Sequence, residues 1–225
     1  MVTILRIGGS VIASSRNPKP VIQYADLLRK LKVKKRGVIA VVGGGKLARQ
    51  FINLGRKLGL DEVSQDWLAI HISRLYALLL TLKLGEDGIG VVPTSIEEAI
   101  KMSRADKIVV MGGLEPGMTT DTVAARLAEE TSSRLLVKAT DRSGIYNKDP
   151  ARYPDAVKLA EVSYGKLSEI LEINQHEAGI QQILDPVAIG ILSEAGVKTV
   201  VVDGKYPENI LRAIAGERLG TTVTT

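Results

Sequence analysis

Two hydrophobic rhythms alternate along this chain. Continuous apolar runs of strand length occur at Val2–Ile7, Gly37–Val42, Ile89–Val92, Lys107–Met111, Arg134–Ala139 and Lys198–Val202. Runs that lack polar alternation predict strands buried on both faces. Between them, apolar residues recur every three or four positions. That spacing predicts helices over Val21–Lys32, Lys46–Leu58, Thr120–Glu130, Ser163–Leu171, Pro186–Ala195 and Pro207–Ala215. Thr140–Asp155 is polar, contains Gly144, Asp149-Pro150 and Pro154, and reads as a loop. Gly220–Thr224 adds a short edge strand.

One stretch departs from the amphipathic pattern. Asp66–Leu84 carries Trp67, Leu68, Ile70, Ile72, Leu75, Leu78, Leu79 and Leu82, which cover more than one face of a helix. Such a helix is either fully buried or covered by another subunit, and the subunit interface is the preferred reading.

Strands alternating with helices from end to end predict an α/β fold, a three-layer α/β/α sandwich around a mostly parallel sheet. A chain of 225 residues suits a single domain, 1–225, with a sizeable core. Aromatic residues make up only 4% of the chain, so the core is built from Val, Ile, Leu and Ala. No linker, repeat or low-complexity tract interrupts the pattern.

Composition narrows the function. The chain has no Cys, which excludes a disulfide scaffold and a thiolate-held zinc. His71, inside the apolar helix, reads as packed or interfacial, and His176 as solvated, so no protein-held metal site is expected. No unbroken apolar run approaches the roughly 20 residues that cross a bilayer. Met1–Ile7 leads directly into a strand without a signal-peptide pattern, so the expected location is cytoplasmic, with no membrane partner. A net charge of +5 suits a polyanionic ligand. The densest basic stretch (Arg29, Lys30, Lys32, Lys34, Lys35 and Arg36) reads as a cationic helix end and a charged turn. It has no aromatic stacking platform, so nucleic acid is not an expected partner.

Three predicted strands end in glycine clusters: Gly8-Gly9, Gly43-Gly44-Gly45 and Gly112-Gly113. In an open α/β sheet, ligands bind beyond the carboxyl ends of the strands. Glycines there let backbone N–H groups approach phosphate oxygens, and a following helix N-terminus adds partial positive charge. Three such turns at equivalent strand ends point to a phosphorylated ligand. Gly43-Gly44-Gly45-Lys46-Leu47 lacks the spacing and the Ser/Thr of a P-loop, and no G-x-G-x-x-G opens a helix after a strand. The phosphate is therefore held in another way.

The blocks Ile4-Leu5-Arg6-Ile7-Gly8-Gly9-Ser10, Val41 to Arg49 (VVGGGKLAR), Met111 to Asp121 (MGGLEPGMTTD) and Gly144 to Pro150 (GIYNKDP) resemble the signature segments of the amino-acid-kinase superfamily, in the same order. The resemblance runs from Leu5 to Gly220-Thr221-Thr222. Within the superfamily, GGGKLAR, PGMTTD and the absence of room for a regulatory domain are most similar to the archaeal-type UMP kinases. It implies a carbamate-kinase-like fold, with a lobe of about 1–135 for the phosphoryl acceptor and a lobe of about 136–225 for ATP. The implied reaction moves the γ-phosphoryl of ATP to UMP, in pyrimidine biosynthesis, with Mg²⁺ held mainly by nucleotide phosphates. UTP feedback, and dimers assembling to a hexamer, are implied as well.

By the same resemblance, Gly9, Ser10, Gly45 and Arg49 approach the ATP phosphates, and Thr140, Asp141, Tyr146 and Asp149 hold its base and ribose. Gly44 meets the UMP phosphate, Asp66 its ribose hydroxyls, and Leu114, Glu115, Pro116, Gly117, Met118, Thr119 and Thr120 wrap the uridine and its phosphate. Asp121 is the central carboxylate that orients the basic groups. Plainer readings stay open: a solvated helix residue for Arg49, an N-cap for Asp66, a first-turn charge for Asp121 and a packed aromatic for Tyr146. Two departures stand out. Arg6 occupies a position where many relatives carry Lys, which raises Lys46 as the source of the missing ammonium. Asp141-Arg142-Ser143-Gly144 replaces the usual Asn/Lys-x-Asp-Gly. Sister kinases for isopentenyl phosphate, carbamate or acetylglutamate, and a non-catalytic nucleotide-binding subunit, are the competing readings.

Overall fold

The computed structural model describes residues 2–14, 16–33, 37–173 and 183–225. In chain order the elements are β1 (Val2–Ile7), α1 (Gly9–Ile12), α2 (Lys19–Val33), β2 (Gly37–Val42), α3 (Gly45–Lys57), α4 (Glu62–Leu84), α5 (Ile96–Ser103), β3 (Val109–Met111), α6 (Thr120–Glu130) and β4 (Leu135–Thr140). The hairpin strands β5 (Ile145–Tyr146) and β6 (Lys158–Leu159) follow. Then come β7 (Glu161–Ser163), α7 (Tyr164–Ile173), α8 (Pro186–Glu194), β8 (Lys198–Asp203), α9 (Glu208–Ile214) and β9 (Thr221–Thr224).

The main sheet has the order β3-β2-β1-β4-β8-β9-β7. Its pairings are parallel except β8 with β9, which is antiparallel. Helices cover both faces, as the sandwich reading expects. On one face Ile4 and Leu136 pack with Val123 and Leu127 of α6, Leu167 of α7 and Ala188 of α8. On the other, Leu5, Ile7 and Val137 pack with Tyr24 and Leu28 of α2, Tyr76 and Leu80 of α4 and Ile210 of α9. Successive strand residues point to opposite faces. Arg6 therefore shares the α6 face with Ile4, and Lys138 shares it with Leu136. The parallel register pairs Arg6 directly with Lys138. Sheet geometry alone thus brings two cations abreast near the strand ends.

Several expectations change. Ile89–Val92 is not a strand: only Gly88 bridges to Ile108, Gly90 turns with φ +84°, and Pro93 follows. Helix α5 was not expected, although Ser95 caps it by accepting the Glu98 N–H at 3.1 Å. Helix α4 begins at Glu62, where Asp61 accepts the Ser64 N–H at 2.7 Å. Asp61, and not Asp66, is its N-cap.

Among the described residues one helix is of membrane-spanning length, contrary to the expectation from unbroken apolar runs. Glu62–Asp87 is long and apolar enough to cross a bilayer by length and composition, with mean hydropathy 1.4. Isolated polar residues such as His71 and Arg74 break its runs without lowering the average much. Ile70, Tyr76, Ala77, Leu80 and Leu84 are buried within the protein, whereas Trp67, Leu75, Leu78, Leu79 and Leu82 are exposed. His71 is exposed too, its ring 5.9 Å from that of Trp67. Of the basic stretch, Arg29 and Lys32 pair with Asp87 at 3.3 and 3.0 Å. Lys34, Lys35, Arg36 and His176 lie outside the described residues.

Candidate active site

At the carboxyl ends of β1, β2 and β4 lies a cleft of about 320 Å³. Its floor is made by the first two glycine clusters, Gly8, Gly9 and Ser10 after β1 and Gly43, Gly44 and Gly45 after β2. These turns interlock. A Cβ on Gly9 would lie 2.0 Å from the Gly45 nitrogen, and one on Gly45 would lie 2.5 Å from the Gly9 carbonyl oxygen. Gly45 also turns with φ +62° to start α3, a conformation that disfavours side chains. The same two turns are tied to the sheet by Gly8 N–H donating to Ala139 at 2.8 Å and Gly43 N–H donating to Ile7 at 3.0 Å.

Three charged groups in this cleft's wall or directly behind it are bound to one another. Lys138 Nζ donates to both oxygens of Asp121, at 2.8 and 2.7 Å. Arg6 Nε is 2.8 Å from Asp121 Oδ1, an ion pair in which the N–H is not aimed at the oxygen, so Nε is buried without a hydrogen-bond acceptor. Arg6 Nη2 donates to Thr120 Oγ1 at 2.8 Å. Burial pushes the Asp121 carboxyl up, but Arg6 and Lys138 outweigh it and hold it below the ordinary carboxylate value. Burial, helped by the Arg6 charge, lowers Lys138 to about 8 against the pull of Asp121. Asp121 is held in place by α6, whose N-cap Thr119 accepts the N–H groups of Asp121 and Thr122, each at 3.1 Å. A carboxylate so committed is a poor base and a good organiser of cations.

A second cleft, of about 250 Å³, adjoins the first and shares Gly44 and Thr120 with it. Asp66, Ser73, Gly113, Glu115, Gly117, Met118 and Thr119 line it. Asp66 Oδ2 accepts the Gly117 N–H at 2.8 Å, so this carboxylate fixes the turn of the 114–120 loop. Arg74 donates to the carbonyls of Gly113 and Leu114, both at 2.9 Å, and Ser73 Oγ accepts the Gly113 N–H at 2.8 Å. The third glycine cluster thus serves a different end from the first two. A Cβ on Gly112 would meet the Arg74 nitrogen at 2.6 Å, so this glycine lets α4 pack against the strand end.

Asp185 ties the start of α6 to the start of α8. It caps α8 by accepting the Ala188 N–H at 2.9 Å, and it accepts the hydroxyls of Thr119 and Thr122 from α6.

The structure gathers most of the expected residues. Arg6, Gly9, Ser10, Gly45, Arg49, Thr140 and Asp141 line the first cleft. Tyr146 and Asp149 stand beside its rim: Tyr146 shares a 2.8 Å hydrogen bond with Ser143, and Asp149 is 3.2 Å from Arg142. Lys46 is exposed and is not among the lining residues, nor are Leu114 and Pro116 among those of the second cleft. Sequence reasoning missed Lys138, Ser73, Arg74 and Asp185. The signal for Lys138 was a lone charge inside an apolar strand, and for Ser73-Arg74 a polar pair inside an apolar helix.

The profile of the amino acid kinase family matches residues 1–203. A uridylate kinase of Methanosarcina barkeri is 41% identical over 232 residues, spanning 100% of this chain and 99% of that one. One of Methanothermobacter thermautotrophicus is 39% identical and covers 98% and 97%. The crystal structure of the uridylate kinase from Archaeoglobus fulgidus superposes with a TM-score of 0.88 at 35% identity, over 100% of both chains. A UMP kinase structure from Bacillus anthracis shares the fold, with a TM-score of 0.82 at 20% identity and coverage of 99% and 95%. Glycine turns interlocked beneath a buried Arg–Asp–Lys cluster thus coincide with full-length similarity, and the chain belongs to the amino acid kinase family and, within it, to the uridylate kinases.

Proposed function

We infer that the protein transfers the γ-phosphoryl group of ATP to UMP, giving UDP and ADP. The observation that carries this reading is the pair of adjoining clefts that share Gly44 and Thr120 beside the Arg6–Asp121–Lys138 cluster. One cleft suits the donor phosphates and the other a nucleotide acceptor whose phosphate meets them at the shared wall.

In the transfer, an oxygen of the UMP phosphate bonds to the γ-phosphorus while the bond from that phosphorus to the β–γ bridging oxygen breaks. ADP leaves with the electron pair. The acceptor oxygen is already anionic, so no side chain has to remove a proton, and the work is alignment and charge neutralisation. Arg6, with its orphaned buried Nε, and Lys138 supply positive charge, and Asp121 keeps the two from repelling each other out of position. Glycine amides of both turns complete the cradle. In the second cleft, Asp66 and the Gly117 turn receive the ribose side of the acceptor.

Among the described residues no three His, Cys, Asp or Glu side chains cluster as metal ligands, and Asp121 is already occupied by cations. This donor set fits a Mg²⁺ carried on the nucleotide phosphates, which would supply further neutralisation when bound. Within the single domain, the acceptor is held by residues before about 135, and the donor by residues after it together with the glycine turns of β1 and β2. UTP, as one triphosphate reaching across the shared wall, is the expected feedback ligand. The exposed face of α4 carries a dimer contact, from which a hexamer is built.

ADP release from Mg-ATP, measured separately with UMP, CMP, AMP, isopentenyl phosphate, acetylglutamate and carbamate, tests the reading. Turnover with UMP far above the others supports it. A different preferred acceptor removes the uridine assignment, and folded protein that binds ATP but turns over none of them is a nucleotide-binding subunit.

A further inference from the structure

Four cations line the donor cleft, and one of them has no role in the account above. Arg142 comes from the loop after β4 and shares the cleft wall with Arg6, Arg49 and Lys138. Its side chain is about one-third exposed, and Nη1 lies 3.2 Å from Oδ1 of Asp149, a carboxylate with 7% of its side chain accessible. The same oxygen accepts the Ala151 N–H at 3.0 Å, so the anchor is itself held by the backbone. Among the described residues, Nε and Nη2 of Arg142 have no hydrogen-bond partner. A part-exposed guanidinium tethered at one nitrogen by a buried anion, with its other donors unclaimed by protein atoms at the cleft wall, is pre-oriented for an incoming anion.

We propose that Arg142 is a further phosphate-binding residue, whose guanidinium grips the outer phosphates of the donor nucleoside triphosphate, and that Asp149 is its positioning residue. The proposal rests on the reading of the first cleft as the donor site. It gives Asp149 a task beside the ribose or base contact implied by resemblance: it aims Arg142. Arginine suits the task because its planar fork can keep one nitrogen on Asp149 while others meet two phosphate oxygens. Tyr146 and Ser143, paired to each other beside this arginine, are left to face the nucleoside end.

Equilibrium titration with Mg-ATP, ADP and AMP, on wild type, Arg142→Gln, Arg142→Lys, Asp149→Asn and the double variant, tests this. Arg142→Gln should weaken ATP binding about ten- to a hundredfold, as expected for a lost charge-assisted contact, and leave AMP binding unchanged. Arg142→Lys should recover part of the loss. Asp149→Asn should weaken ATP binding in the wild-type background and cost less in the Arg142→Gln background. ATP affinity unmoved by Arg142→Gln, or equal losses for ATP and AMP, would overturn the phosphate grip. An undiminished effect of Asp149→Asn in the Arg142→Gln background would make Asp149 a direct nucleotide ligand and overturn its positioning role. Circular dichroism melts establish that each variant is folded. Since these titrations omit the acceptor, a failure of UMP turnover counts against the proposed reaction and leaves this inference standing.

Discussion

Arg6 and Lys138 are register partners on adjacent parallel strands, and the single carboxylate of Asp121 serves both. Two like charges side by side on one sheet face repel, and here they are tolerated because Asp121 sits against them from α6. Removing the carboxylate leaves two buried cations unpaired. Asp121→Asn should therefore lower kcat by at least about a hundredfold. It should also lower thermal stability, because it breaks a buried charge cluster. Steady-state kinetics and thermal melts check both.

The position of Lys138 sets a pH limit. Its ammonium is present below about pH 8 and lost above it. The value of kcat/KM should fall on the alkaline side with a midpoint near that pH, and Lys138→Met should lack this limb as well as most of the activity. Stability moves the other way. The folded value lies below the ordinary lysine value of 10.5, so between about 8 and 10.5 the unfolded chain holds the proton that the folded chain has released. By linkage, stability gained from this group rises with pH across that window. The wild-type minus Lys138→Met difference in chemical denaturation, followed from pH 7 to 10 or so, reads it directly.

Gly9→Ala should be poorly tolerated. The added methyl collides with backbone atoms of Gly45, which cannot rotate away as a side chain would. A loss of about 1–3 kcal/mol in stability is expected from such overpacking, together with weakened ATP binding.

Asp66→Asn should separate acceptor from donor binding. The Gly117 N–H keeps an acceptor of lower charge, so the fold survives with a nearly unchanged melting temperature. KM for UMP should rise about tenfold or more while KM for ATP stays within a factor of two.

Asp185→Ala removes the cap of α8 and the links to Thr119 and Thr122 in one change. A cost of about 1–2 kcal/mol is expected from the cap alone. Asp185→Asn, which retains an acceptor for the Ala188 N–H, should fall between the alanine variant and wild type in a thermal melt.

Much of this arrangement was legible in the chain. Continuous apolar runs located the inner strands because burial on both faces leaves room for few polar residues, and the helix Thr120–Glu130 has the bounds its periodicity gave. Ile89–Val92 looked like a strand because an apolar run carries no information on whether a partner edge is available. The hairpin β5–β6 and strand β7, two or three residues each, are too short for any periodicity to register. At the site, two glycine clusters marked the floor of the first cleft, yet the same residue type at Gly112 serves helix packing, a distinction only a three-dimensional neighbour can make. Lys138 was hidden for a related reason. Its importance comes from standing in register with Arg6, which lies 132 positions away in the chain and adjacent in the sheet.

The contact between Gly9 and Gly45 has a consequence for how this sequence can vary. Neither position can accept a side chain unless the other turn moves, and moving the Gly45 turn shifts the start of α3 and with it Arg49. Drift at one site is thus blocked by the other, and no order of single substitutions leads around the block. Libraries aimed at new acceptors gain nothing from sampling this pair. Their useful freedom lies in Glu115 and Met118, side chains that line the second cleft.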